Sequence, residues 1–253
     1  MPVDAAQFYR KRGPMHLERI EFYPENYPTD DHYPFSLEIF RKIRELLFRT
    51  PVTLFVGENG TGKSTLLEAI AGRCGIHIWQ GPKRQRYEYN PYESSLCDFI
   101  SVDWKNGRVP GSFFGSSVFQ DFARLLDEWA VADPGQLTYF GGKSLVAQSH
   151  GQSIMSFFRA RYSRTGLYLM DEPETALSPR TQIDLVDLLI KMGRAGHAQF
   201  IIATHSPILL ACPAATIYSF DQVPITAMDY EETDHYKLYR DFMANPRGAW
   251  REN

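Results

Sequence analysis

The stretch PVTLFVGENGTGKST, residues 51–65, decides the fold. Its first part, VTLFV at 52–56, is apolar and rich in β-branched residues, as expected of a strand buried on both faces of a parallel sheet. Gly57 to Ser64 then follows the pattern G-x-x-x-x-G-K-[ST], and KSTLLEAIAG at 63–72 reads as a helix closed by Gly72. Glycines allow the chain to wrap so tightly that successive backbone N–H groups point at phosphate oxygens. Lys63 adds a mobile positive charge for the β- and γ-phosphates, and the Ser64 hydroxyl is placed to ligate magnesium. The helix that starts there turns its positive dipole end toward the anion.

Outward from this loop the chain alternates strands and helices. LERIEFY at 17–23 reads as an early strand, and SLEIFRKIRELLF at 36–48 has the i, i+3, i+4 spacing of one amphipathic helix. Beyond the loop come a helix at about 152–162, strands at 166–170, 199–204 and 215–220, a helix at 179–193 and a closing helix at 235–244. This pattern predicts an α/β fold with a mostly parallel sheet covered on both faces. The region from about Gly75 to Gly142 is richer in Gly, Pro, Tyr and Ser around one helix at 117–130 and reads as a lobe inserted into a single domain spanning 1–253. With its signature segment that lobe covers approximately 75–165.

A second chemical signal lies more than a hundred residues on. GLYLMDEPETALS at 166–178 is an apolar strand ending in Asp171 and Glu172. Ligands of open α/β sheets gather at the carboxyl ends of strands. Asp171 there can hold magnesium, and Glu172 can polarise a water toward the γ-phosphate.

These residues and three further segments resemble the ABC-type ATPases. QSHGQ at 148–152 is similar to their signature motif, ETALS at 174–178 to the D-loop along the dimer interface, and ATHSP at 203–207 to the segment carrying the switch histidine, here His205. The resemblance implies a P-loop NTPase fold with an inserted helical lobe. It implies an ATPase in which Gly57, Glu58, Asn59, Gly60, Thr61, Gly62, Lys63, Ser64 and Thr65 of one copy hold Mg-ATP, while Ser149, Gly151 and Gln152 of a second copy close over it. Glu172, His205 and Lys63 would be catalytic, with Ser64 and Asp171 on Mg2+. The family's Q-loop glutamine has two candidates, Gln120, a further candidate magnesium ligand, and Gln80. An adenine-stacking aromatic has two as well, Tyr27 and Tyr33. His150 replaces the first glycine of the signature, and Ser178 a D-loop aspartate. Both point away from ordinary transporter ATPases and toward compact stand-alone ATPases with SHGxS signatures, akin to the RecF/SMC-like group.

Composition bounds the alternatives. A net charge of −3 argues against a surface made for nucleic acid by bulk electrostatics, although KRQRYEY at 83–89 and FRARYSR at 158–164 interleave basic and aromatic residues. The three cysteines are far apart and contain no Cys-x-x-Cys pair. No run approaches the roughly 20 apolar residues of a membrane span, and a cytoplasmic protein without membrane insertion is expected. The leading expectation is an ATP-sandwiched homodimer switch with an unidentified partner. The alternatives are the ATP-binding subunit of a membrane transporter and the ATPase module of a DNA-associated or defence system.

Overall fold

The computed structural model describes residues 15–79, 90–116, 119–133, 135, 137, 138, 142, 144, 146 and 150–247. In chain order its strands are β1 (Leu17–Phe22), β2 (Glu45–Leu47), β3 (Val52–Val56), β4 (Ile100–Trp104), β5 (Gly111–Gly115), β6 (Gly166–Asp171), β7 (Ala198–Ala203), β8 (Thr216–Ser219) and β9 (Thr226–Met228). The helices are α1 (Glu38–Lys42), α2 (Lys63–Cys74), α3 (Phe119–Ala132), α4 (His150–Tyr162), α5 (Pro179–Ala195), α6 (Pro207–Leu210) and α7 (Asp234–Ala244).

The strands form two sheets. The larger has the order β5-β6-β7-β3-β8-β9, parallel except for β9, which runs antiparallel to β8. All five residues of β3 are buried between β7 and β8. Because strand side chains alternate, Phe55 joins the apolar core on one face while Val52, Leu54 and Val56 join the core on the other. The smaller sheet, β2-β1-β4, is antiparallel and buries Leu17, Ile20 and Phe22 of β1 on its core side.

Gln199 connects the two sheets. It lies in β7 with no exposed surface, and its Oε1 accepts from the backbone N–H groups of His16 and Leu17 at 2.8 Å each. Its Nε2 donates to the Leu17 carbonyl at 2.9 Å. The amide thereby satisfies three backbone groups at the head of β1 that would otherwise be buried without partners.

Three expectations are corrected. The single helix over 36–48 is instead the short helix α1, an extended residue at Ile43, and strand β2. Leu46 and Phe48 are buried two residues apart, a strand period. Pairing of β2 with β1, extended by Phe48 N–H to Glu18 O at 2.9 Å, outweighs the helical period. Helix α2 continues past Gly72 to Cys74 and closes on Gly75 in the left-handed conformation, φ +58°. Gly72 serves packing, since a Cβ there would lie 3.2 Å from the Cβ of Cys97. Within 75–165 the chain also supplies a strand to each sheet, β4 to the smaller and β5 to the larger. The lobe's helices α3 and α4 meet through a cluster of Phe114, Phe119, Phe157 and Phe158. Phe158 and Tyr162 of FRARYSR are core residues on α4, and Arg161 donates to the Gly111 carbonyl at 3.1 Å. The segment 83–89 and Gln80 lie outside the described residues.

Candidate active site at the ends of β3, β6 and β7

Between β3 and α2 the chain turns through Gly57–Gly62. Gly62 sits at φ +100° as the residue before α2, and a Cβ there would come within 2.9 Å of the Phe40 ring. Both the backbone and α1 therefore require glycine at this position. Glu58, Asn59 and Gly60 form the exposed tip. The loop is held by its own atoms: the Thr61 hydroxyl donates to the Glu58 carbonyl at 2.9 Å. From the turn after β8, Asp221 Oδ1 accepts the Glu58 N–H at 2.7 Å. Asp221 escaped the sequence reading, although its place just after a strand adjacent to β3 is a usable signal.

Lys63 is almost wholly buried, and its Nζ donates to the carbonyls of Gly57 at 2.6 Å and Glu58 at 2.7 Å. Burial pushes its pKa down; the carboxylates of Glu172, Asp221, Asp171 and Glu58 oppose that shift. One residue on, the Ser64 hydroxyl donates to Asp171 Oδ1 at 2.9 Å. Burial raises the Asp171 pKa, the Ser64 hydrogen bond lowers it, and neighbouring Glu172 raises it further. A hydroxyl and a carboxylate side by side are hard oxygen donors of the kind magnesium takes, leaving its other positions to phosphate and water. Thr65 is hydrogen-bonded to the hydroxyl of Tyr33. Tyr27 instead packs against Phe35 and Phe99, with its hydroxyl donating to the Phe40 carbonyl at 3.1 Å. Of the two aromatic candidates, Tyr33 is the one with a described hydrogen bond to the loop's helix.

Glu172 follows β6 in the left-handed conformation, φ +44° and ψ 55°, a cost of about 1–2 kcal/mol for a residue with a Cβ. Its N–H donates to the Ala203 carbonyl of β7 at 2.9 Å. This turns the side chain toward His205, which lies two residues past the end of β7. His205 Nε2 is 3.5 Å from Glu172 Oε1, and its backbone N–H donates to Glu174 Oε1 at 2.6 Å. Burial lowers the His205 pKa, as does the Lys63 charge, while Glu172 acts against them. Among the described residues, His205 Nε2 is buried without a hydrogen-bond partner. An orphaned imidazole nitrogen beside the phosphate loop fits a phosphate oxygen when it carries the ring proton.

Lys63, Ser64, Asp171, Glu172 and His205 are thus brought together by three adjacent parallel strands. Ser149 and Gln148 lie outside the described residues. Among the described residues α4 runs from His150 and includes Gly151 and Gln152, and no described hydrogen bond or ion pair joins either to the cluster. A Cβ at Gly151 would meet only Thr181, at 3.8 Å, so nothing described in this chain demands glycine there. Gln120 lies at the start of α3, and its side chain is outside the described set. Ser178 acts locally, its Oγ accepting the Thr181 N–H and capping α5.

Such a loop, two acids and a histidine at the carboxyl ends of a parallel sheet give the chain a P-loop ATPase fold similar to that of the ABC-type ATPases. Sequence relatives agree: a family model described as an AAA ATPase domain matches residues 150–210, and one described as an AAA domain matches 36–76. The molybdate import ATP-binding protein MolC of Haemophilus influenzae is 27% identical over 178 residues, 67% of each chain. The hemin import ATP-binding protein HmuV of Streptomyces coelicolor is 30% identical over 179 residues, 64% of this chain and 62% of that one. The chain therefore spans about two thirds of the length of these relatives. In fold it is similar to a solved metal-chelate type ABC transporter in an inward-facing conformation, with a TM-score of 0.50, 17% identity and coverage of 89% of this chain and 88% of that one. No helix of the described residues is long and apolar enough to cross a membrane.

Proposed function

We propose that two copies of this chain close over two ATP molecules, hydrolyse them to ADP and phosphate, and separate again. The observation that carries this reading is the placement of the Glu172 carboxylate 3.5 Å from His205 Nε2, at the same carboxyl end of the sheet as Lys63 and the Ser64–Asp171 pair. In the proposed reaction Glu172 takes a proton from the attacking water as its oxygen bonds to the γ-phosphorus and the bond to the β-phosphate bridging oxygen breaks. His205 donates from Nε2 to the γ-phosphate. Lys63 exchanges the Gly57 and Glu58 carbonyls for phosphate oxygens and neutralises charge building on them. A magnesium ion held by Ser64 and Asp171 would supply further neutralisation of the phosphates. Gly151 and Gln152 at the start of α4, with Ser149 before them, would reach the γ-phosphate held by the other copy, with Gly151 permitting close backbone approach.

The import roles in the names of MolC and HmuV favour a second reading, in which the same dimer serves a membrane partner from the cytoplasmic side. Glu172→Gln protein, expected to bind ATP and turn it over at least about a hundredfold more slowly, tests both readings when recovered from its native cells with Mg-ATP and weighed intact. An ATP-dependent homodimer supports the sandwich, and a stoichiometric membrane protein on that dimer supports the second reading. Unchanged turnover removes Glu172 as general base, and a monomer under all conditions overturns the dimer.

A further inference from the structure

His205 has a second neighbour besides Glu172. Its Nδ1 lies 3.2 Å from the Nε2 of His235, in the first turn of α7. The sequence between them builds that contact deliberately. Asp229 and Glu232 form a capping box around a short 3-10 turn at Tyr230–Glu232. The buried Thr233 then caps α7 by accepting the Tyr236 N–H at 3.1 Å, while its hydroxyl donates to the Tyr230 carbonyl at 2.7 Å. Two successive caps fix the corner from which His235 projects.

Two neutral imidazoles in contact share one proton, and two arrangements exist. If His205 donated from Nδ1, its bare Nε2 lone pair would face the Glu172 carboxylate at 3.5 Å, and His235 would carry a proton on Nδ1. His235 Nδ1 is buried and has no hydrogen-bond partner among the described residues, so that N–H would be orphaned. If His235 donates from Nε2, the His205 proton sits on Nε2, facing the carboxylate attractively. His235 then buries only a lone pair on Nδ1, a lesser penalty than a stranded N–H. Both comparisons select the second arrangement.

We propose that His235 is a positioning residue that donates from Nε2 to His205 Nδ1 and so holds His205 as the tautomer with its proton on Nε2, aimed at Glu172 and at the γ-phosphate. This role rests on the ATPase reading above, but the tautomer itself does not. It makes α7, at the C-terminal end of the described chain, part of the machinery that readies the switch histidine.

The test uses the full chain labelled with 15N in its histidines, with long-range 15N–1H correlation spectra assigned through single-histidine variants. In nucleotide-free wild-type protein the His205 proton is expected on Nε2. His235→Phe, which keeps an aromatic ring and removes the donor, is expected to abolish that preference. His235→Gln, whose amide can donate from nearly the same place, is expected to keep it. In Mg-ATP turnover His235→Phe should lower kcat by about tenfold or more with KM within about twofold, and His235→Gln should restore kcat to within about threefold of wild type. A proton on His205 Nδ1 in the wild type, or a tautomer indifferent to both substitutions, overturns the proposal, as does an unchanged kcat in His235→Phe. If the tautomer obeys His235 while Glu172→Gln turns over like wild type, the failure belongs to the ATPase assignment alone.

Discussion

Ser64 Oγ and Asp171 Oδ1 are hydrogen-bonded at 2.9 Å although 107 residues separate them, one opening α2 and the other ending β6. Asp171 thus holds the loop's helix and offers a charge to the metal, and removing the charge while keeping an oxygen acceptor separates the two roles. Asp171→Asn is expected to fold and to keep the Ser64 bond, yet to need at least about tenfold more magnesium for ATP turnover, roughly 1.4 kcal/mol of lost binding. A magnesium titration of steady-state turnover checks this, and an unaltered midpoint would remove Asp171 from the metal site.

The loop's glycines differ in what they require. Gly60, at φ +81°, has nothing within 4 Å of where a Cβ would sit, whereas Gly62 has the Phe40 ring at 2.9 Å. Gly60→Ala is expected to cost about 1 kcal/mol for left-handed backbone alone. Gly62→Ala should cost at least about 1 kcal/mol more because it also overpacks α1. Urea unfolding of both variants decides the ranking, and equal losses would mean that Phe40 simply moves aside.

The two sheets share Gln199. Gln199→Leu fills similar volume but strands two N–H groups and one carbonyl at the head of β1. A loss of about 3 kcal/mol or more is expected in equilibrium unfolding. A loss under about 1 kcal/mol would show that β1 finds other partners.

Glu174 carries a pH signature. Burial raises its pKa, and the hydrogen bond from the His205 N–H only partly offsets this. A carboxyl whose folded-state pKa is raised stabilises most below the unfolded value of about 4.3, and that contribution is lost as pH rises through the folded value. Glu174→Gln should therefore gain on the wild type as pH rises from about 4 to about 8. Urea midpoints of nucleotide-free protein across that range test the sign, and a gap that is flat or closes with pH contradicts it.

Much of this was legible in the sequence because the chemistry is local. The glycine spacing, Lys63 and Ser64 form one contiguous string, and Asp171, Glu172 and His205 each follow an apolar strand within a residue or two. The parallel sheet followed from the same runs. Residues 36–48 misled because Ile39, Phe40 and Ile43 keep a helical spacing while Leu46 and Phe48 keep a strand spacing, and only the distant partner β1 decides between them. Asp221, Gln199 and His235 act through partners 163, up to 183, and 30 residues away. Nothing beside Gln199 or His235 in the chain announces those contacts, and for Asp221 the signal is its place just after an apolar strand.

Lys63 reaches its place before any nucleotide does. Its ammonium group is stripped of water and parked on the Gly57 and Glu58 carbonyls as the chain folds. Arrival of a phosphate is then an exchange of oxygen partners with little further drying of the cation. Heat released on nucleotide binding should accordingly be modest for so charged a contact, because most of the drying of the lysine is done by folding.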